Sequence, residues 1–334
     1  MIWLGFRVTL PGVALALVCS TAAAANTCKL IKVADLPVKF EDSHVYVEGA
    51  INGRTIDILL DTGLTRSLVP RSGAKRLGLP VMGTPRSLPV SGIGGESAPE
   101  VVLIKEFRIG AATRERWQVL TAGERDLGAN VGFVLGEDFF SQVDVEFDLA
   151  HKAVRLFQPK DCDGVSLAYW SSTDYSEVAI ERVDDFHPQI VLTVLLNDQP
   201  FDALLDSGAW TSMITKSAAA RLGVTPETPG VVTAGKTVGM GPKAVDNWTG
   251  PLKTFVIGSE KISNTSMRFA DMYGRDGPYD HPMLLGTDFL FAHRVFIAHS
   301  QRKIYFTYTG GPVFQLTGPL MIGDRPFMED AVKP

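Results

Sequence analysis

Apolar and polar positions alternate with a period of two along much of this chain, in short runs closed by Gly, Asn, Asp or Pro. That is the pattern of strands joined by tight turns. Val38-Lys39-Phe40 and His44-Val45-Tyr46-Val47-Glu48-Gly49 alternate in this way. Asn52-Gly53 predicts a hairpin turn into a strand over residues 55–60. Residues 67–70 read as another strand, and residues 72–77 as one short helix closed by Gly78. Beyond the glycine-rich turn Ser91-Gly92-Ile93-Gly94-Gly95, residues 106–110 read as a strand. Residues 133–136 form a buried run ending in glycine, residues 137–140 open a short helix, and residues 153–157 are a closing strand. Residues 26–36 carry little pattern.

The same order of elements is then written a second time. At an offset of 145, residues 51–79 align with residues 196–224 without a gap. Asn52 meets Asn197, Asp57 meets Asp202, Ser67 meets Ser212, and Arg76-Leu77-Gly78 meets Arg221-Leu222-Gly223. Val238-Gly239-Met240-Gly241-Pro242 stands where the first half has its glycine-rich turn, and residues 254–258 match 106–110. Phe133-Val134-Leu135-Gly136-Glu137-Asp138 meets Met283-Leu284-Leu285-Gly286-Thr287-Asp288, and Phe147 and Phe157 meet Phe296 and Phe306. Such self-similarity predicts two copies of one folding unit. The expectation is an all-β chain of two tandem lobes, residues 26–162 and 163–310, with residues 160–165 as the linker and 311–334 as an irregular tail.

Composition narrows the class. The chain has 334 residues, a high apolar content and a formal net charge of −5. This is a globular composition, long enough for two domains, and its charge argues against a nucleic-acid partner. Residues 1–25 read as an export signal: Arg7 supplies the positive start, residues 8–18 a short apolar core, and Ala23-Ala24-Ala25 a cleavage site. The apolar run is short for a membrane span, so an exported, periplasmic or secreted protein without stable membrane insertion is expected. Two cysteines then remain, Cys28 and Cys162, an even pair compatible with one disulfide.

The candidate chemistry sits in the repeat. Leu59-Leu60-Asp61-Thr62-Gly63 returns as Leu204-Leu205-Asp206-Ser207-Gly208. One Asp-Thr/Ser-Gly triplet is weak, since roughly one chain of this size in ten holds one by chance. Two at matching places in matching halves are a strong signal. Two carboxylates about 3 Å apart cannot both ionise, so they share one proton over a wide pH range. One can then take a proton from a water while the other donates to a carbonyl oxygen. Gly63 and Gly208 would let the two turns approach, and the Thr62 and Ser207 hydroxyls could brace them. Other chemistries lack support. The histidines at 44, 151, 187, 281, 293 and 299 show no HExxH spacing, no Cys/His cluster exists and no serine sits in GxSxG. No metal or organic cofactor is expected.

These motifs resemble the aspartic peptidases, and within them the retropepsin-like branch. The resemblance covers nearly all of the chain after the leader, as two tandem copies. It implies two retropepsin-like or pepsin-like β-barrel lobes with a cleft between them, in one chain that acts as an internal pseudo-dimer. It implies that Asp61 and Asp206 are the catalytic pair of an endopeptidase acting on a peptide or protein substrate, with Thr62 and Ser207 interlocked. Gly92, Ile93, Gly94 and Gly95, and Gly239, Met240 and Gly241, would be flap tips that close on substrate. Gly136 and Gly286 would pack behind the catalytic loops. Two departures stand out. Leu64 replaces the small residue usual after the glycine, and its side chain cannot donate a hydrogen bond to Asp61. Trp210 has only Thr65 as its counterpart. Leu64 is the feature favouring the alternative reading, a catalytically idle peptide-binding protein that kept the fold.

Overall fold

The computed structural model describes residues 28–314 apart from 42, 85–88, 124, 182–187 and 273–280. Beyond them it places only a small hairpin, Met321–Ile322 paired with Arg325–Pro326. The expected leader, most of the expected tail and His187 lie outside the described residues. No helix among the described residues is long and apolar enough to cross a membrane.

The first half runs β1 (Lys29–Glu41), β2 (His44–Ile51), β3 (Arg54–Leu60), β4 (Leu68–Pro70), helix α1 (Arg71–Leu77), β5 (Val81–Gly83), β6 (Val90–Gly92), β7 (Gly95–Ser97), β8 (Glu100–Ile109), β9 (Ala112–Ala122), β10 (Val131–Leu135), α2 (Glu137–Phe140), β11 (Asp144–Asp148) and β12 (Ala153–Lys160). The second runs β13 (Ser176–Ala179), β14 (Val191–Leu196), β15 (Gln199–Leu205), β16 (Met213–Thr215), α3 (Lys216–Arg221), β17 (Val232–Thr237), β18 (Val245–Ile257), β19 (Glu260–Ala270), β20 (Met283–Leu285), α4 (Thr287–Ala292), β21 (His293–Ala298) and β22 (Lys303–Tyr308).

Each half closes a six-stranded barrel. In the first the order is β2-β3-β10-β4-β9-β8, and β8 pairs back onto β2. In the second it is β14-β15-β20-β16-β19-β18, and β18 pairs back onto β14. Closure leaves no unpaired edge within the barrel. It also explains the alternation, since Ile56, Ile58 and Leu60 of β3 are buried while Thr55 is exposed. The turns are pinned by their residues. Asn52 (φ 50°) and Gly53 (φ 78°) occupy the left-handed region at the β2–β3 hairpin, and Asn197 and Asp198 repeat this at β14–β15.

A third sheet joins the lobes. Its order is β1-β12-β11-β21-β22-β13, and the seam is the antiparallel pair β11–β21, with Glu146 opposite Phe296. The patternless residues 26–36 are corrected here: the chain is a strand from Lys29 onward, paired with β12. Its alternation is faint in sequence because this stretch leaves Ile31 and Val33 about half exposed. From Val38 the same strand leaves β12 and pairs with β2, so it ties the joining sheet to the first barrel. A disulfide between Cys28 and Cys162 fastens its start.

The seam is also welded by charge. Glu146 is fully buried and accepts hydrogen bonds from Arg155 Nη1 (2.8 Å), Arg294 Nε (2.7 Å) and the Tyr169 hydroxyl (2.8 Å). Arg155 also reaches Asp148 at 2.7 Å, and Arg294 stacks over the rings of Tyr169 and Trp170. A buried carboxylate survives only when it is paired and hydrogen-bonded.

Candidate active site

The strand β3 runs parallel to its neighbour β10, and the two end level, Leu60 opposite Leu135, where the Asp61 turn begins. Asp61 N donates to Leu135 O at 2.9 Å, and Asp206 N donates to Leu285 O at 2.9 Å. Both turns therefore leave the end of a buried strand and enter the gap between barrels. Each is closed on its own carboxylate. Asp61 Oδ1 accepts from Gly63 N and Leu64 N, both at 3.0 Å. Asp206 Oδ1 accepts from Gly208 N at 2.9 Å and Ala209 N at 3.1 Å. Leu64 thus makes its bond to Asp61 through the backbone, and its side chain joins the apolar wall of the first lobe.

The turns grip each other by four reciprocal hydrogen bonds. Thr62 Oγ1 donates to Leu205 O (2.7 Å) and accepts from Ser207 N (3.0 Å). Ser207 Oγ donates to Leu60 O (2.8 Å) and accepts from Thr62 N (3.0 Å). Thr62 and Ser207 are fully buried. The two glycines are needed for this approach: a Cβ on Gly63 would stand 2.5 Å from the Asp206 carboxyl carbon, and one on Gly208 would collide with the Asp61 carboxyl.

The two carboxyls lie within hydrogen-bond reach of each other. Burial, and next to it the Asp206 charge, push Asp61 well above the usual carboxylate range. Burial raises Asp206 too, against the opposing pull of the Gly208 N–H, the Asp61 bond and the Ala209 N–H. Their titration is joint, and the direction is that of a pair holding one proton between them.

Behind each turn lies a second matched network. Ser67 Oγ donates to Asp138 Oδ1 (2.6 Å) and accepts from Gly136 N (3.0 Å). Ser212 Oγ donates to Asp288 Oδ1 (2.5 Å) and accepts from Gly286 N (2.9 Å). Gly136 and Gly286 are accordingly packed against the turns, where a Cβ would press on the backbone of residues 64–66 and 209–211. The repeat alignment pairs Ser67 with Ser212 and Asp138 with Asp288, so the signal for this network was present in the sequence.

The dyad opens onto a cleft of about 920 Å³ between the lobes. One wall is aliphatic, with Leu59, Leu64, Leu68, Leu120 and Val134. The other carries Leu204, Ala209, Met213, Leu284 and Trp210. Arg268 lies over the Trp210 ring at 4.7 Å, whereas the matching Thr65 takes a hydrogen bond of 2.8 Å from Gln189. Gln189, which lines the cleft, has no signal in the repeat.

The glycine-rich stretches roof this cleft, and they cross. Gly92 pairs with Gly95 at the tip of the β6–β7 hairpin, while residues 238–244 join β17 to β18. Gly241 N donates to Ile93 O (3.1 Å), Lys243 N to Gly94 O (3.1 Å) and Gly94 N to Met272 O (3.3 Å). Ile93 packs on the apolar wall of the second lobe and Met240 on that of the first. Gly239 lies against Ile93, with room for no larger residue. Among the described residues no cluster of three or more His, Cys, Asp or Glu side chains could hold a metal ion.

Comparison with known proteins gives a family. None of the curated proteins matches the chain. The sequence model of the family described as Aspartyl protease matches twice, over residues 47–139 and 192–289. Together these segments cover more than half of the chain, one in each barrel, and each contains one of the two acidic turns. The chain belongs to the aspartyl protease family, in a form that carries two tandem lobes.

Proposed function

We propose that the protein is an aspartic endopeptidase whose catalytic pair is Asp61 and Asp206. The observation that carries this reading is the reciprocal Thr62–Ser207 grip, which presents two half-buried carboxyls to each other at the floor of a roofed cleft. A water held between them loses a proton to the ionised carboxylate as its oxygen attacks the scissile carbonyl carbon. The protonated carboxyl gives its proton to the carbonyl oxygen. Collapse of the tetrahedral species breaks the C–N bond, and the amine leaves with a proton from the dyad. No covalent enzyme intermediate forms. Apolar walls keep the site dry, which strengthens each of these interactions.

The substrate is a peptide or protein segment bound in extended form, its main chain adding to the flaps and cleft as a strand and its apolar side chains filling the aliphatic walls. The natural place of action is an exported, oxidising compartment, a reading supported by the Cys28–Cys162 disulfide and the leader-like residues 1–25. The active unit is a single chain, because both halves of the dyad come from it.

The test is digestion of a protein-derived peptide library by the full chain, with and without a transition-state mimic of the pepstatin type. Asp61→Asn and Asp206→Asn should each abolish cleavage while peptide binding persists. Equal peptide binding with no cleavage by the parent protein at any pH would favour the idle, peptide-binding alternative.

A further inference from the structure

One buried acid is left over by this chemistry. Glu137, the first residue of α2, is fully buried, and neither carboxyl oxygen has a hydrogen-bond partner among the described residues. A polar neighbour of its carboxyl belongs to the other lobe. His299, in the turn after β21, places Nε2 at 3.7 Å from Glu137 Oε2, and that nitrogen is likewise buried without a hydrogen-bond partner. A buried polar atom left unsatisfied is costly, and two such groups facing each other are most simply satisfied by a small side-chain rotation that brings them into hydrogen-bond range.

Two further observations give the contact a purpose. Glu137 N donates to Leu64 O at 2.8 Å, and Leu64 N in turn bonds Asp61 Oδ1, so Glu137 is one residue removed from the acidic turn. At the matching position of the second lobe stands Thr287. Its N donates to Ala209 O, and its hydroxyl donates across the seam to Ser43 O at 2.7 Å. Both copies of the turn thus rest on a residue whose side chain reaches into the opposite lobe.

We propose that Glu137 and His299 form a one-proton clasp across the lobe seam, a carboxylic acid donating to a neutral imidazole nitrogen, which positions the Asp61 turn against the Asp206 turn. The charged groups facing Glu137 favour its neutral form, and burial favours the neutral form of His299. Asp61 and Asp138 face Glu137, and burial together with their charges pushes its carboxyl well above the usual range. Asp144, which faces the His299 backbone, is occupied by Ser300, whose N and Oγ donate to it at 2.9 and 2.7 Å. Burial draws His299 down to about 4. The functional meaning of the clasp rests on the dyad reading, but its protonation state can be measured without substrate.

The linkage signs for the two residues are opposite. Folded Glu137 keeps a proton that the unfolded chain releases above about pH 4.3, so its contribution to stability falls as pH rises from there. Folded His299 refuses a proton that the unfolded chain takes up below about pH 6.5, so its contribution falls as pH drops from 6.5 toward about 4. Glu137→Gln keeps a donor for His299 Nε2 and removes the titration; His299→Gln keeps an amide oxygen as acceptor and does the same. The experiment is chemical unfolding of the full chain and both variants from pH 4 to pH 8. Relative to the parent, the unfolding constant of Glu137→Gln should fall by up to about tenfold per pH unit as pH rises from 5. That of His299→Gln should fall relative to the parent as pH drops below 6.5. As a second readout, infrared spectra at pH 7 in the Asp61→Asn/Asp206→Asn background should show a protonated-carboxyl band that Glu137→Gln removes. The unfolding curves count the one proton held by the pair, and the infrared band places it on Glu137. Absence of that band at pH 7 would mean a charged Glu137–His299 ion pair, and parallel unfolding curves would mean no proton held in this window; either result overturns the clasp. Loss of peptidase activity has no bearing on these readings, so failure of the clasp and failure of the proposed function remain distinguishable.

Discussion

Replacing Thr62 by Val tests the grip between the lobes with little change in volume. The substitution removes one hydroxyl and, with it, the donor to Leu205 O and the acceptor for Ser207 N. Leu205 and Ser207 are fully buried, so water cannot take the missing place. A buried backbone group left unsatisfied costs about 1–3 kcal/mol, and two such groups put the loss at about 2–6 kcal/mol. Val fills the space of Thr, so no cavity cost is added. Thr62→Ser keeps the hydroxyl and should lose less than about 1.5 kcal/mol, the cost of one buried methyl group. The assay is urea unfolding at constant pH, read as a change in midpoint at unchanged slope. Ser207→Ala removes the reciprocal pair, to Leu60 O and from Thr62 N. Since both variants break one network, the double variant should lose less than the sum. A Thr62→Val protein within 1 kcal/mol of the parent would refute the claim that these hydroxyls hold the turns together.

Other perturbations address other parts of the account. Gly94 has φ +88° and lies against Lys243 O; Gly94→Ala should break the crossing of the flaps, cutting kcat/KM by about tenfold, the worth of one or two net hydrogen bonds, with unfolding midpoints unchanged. Glu146→Ala leaves Arg155 with Asp148 at 2.7 Å and Arg294 with Asp148 only at 3.8 Å; it should cost about 1.5–3 kcal/mol, the worth of a hydrogen bond to a charged group, measured by the same urea titration. Reduction of the Cys28–Cys162 bond, which spans 134 residues, should lower stability by up to about 5 kcal/mol on the loop-entropy argument, read by thermal unfolding with and without reductant.

Much of the architecture was legible because it is periodic. The Asn52-Gly53 turn, the apolar run into Asp61 and the run into Gly136 each announce themselves locally, and the second copy repeats them at a near-constant offset. The joining sheet was harder to read. Lys29–Glu41 changes partner midway, from β12 to β2, and its first part is half exposed, so no single face writes a clean alternation. At the site, the two Asp-Thr/Ser-Gly triplets were visible, and Ser67, Ser212, Asp138 and Asp288 were visible in principle as matched pairs. Glu137 and His299 were not. They belong to different lobes, the copies at their positions differ in chemistry, and their meeting depends on how the β11–β21 seam brings two distant turns together. The same holds for Ile93 and Met240, which pack on the lobe opposite their own; nothing local in either loop encodes an exchange.

The central claim is that one chain supplies both members of a single water-activating pair. The most direct measurement is peptide cleavage by Asp61→Asn and Asp206→Asn proteins, each alone and then mixed in equal amounts. The account predicts no cleavage in any of the three samples, because each chain closes its own defective dyad. Cleavage by either single variant, or its return on mixing, would show that the working carboxylates come from separate chains or lie elsewhere.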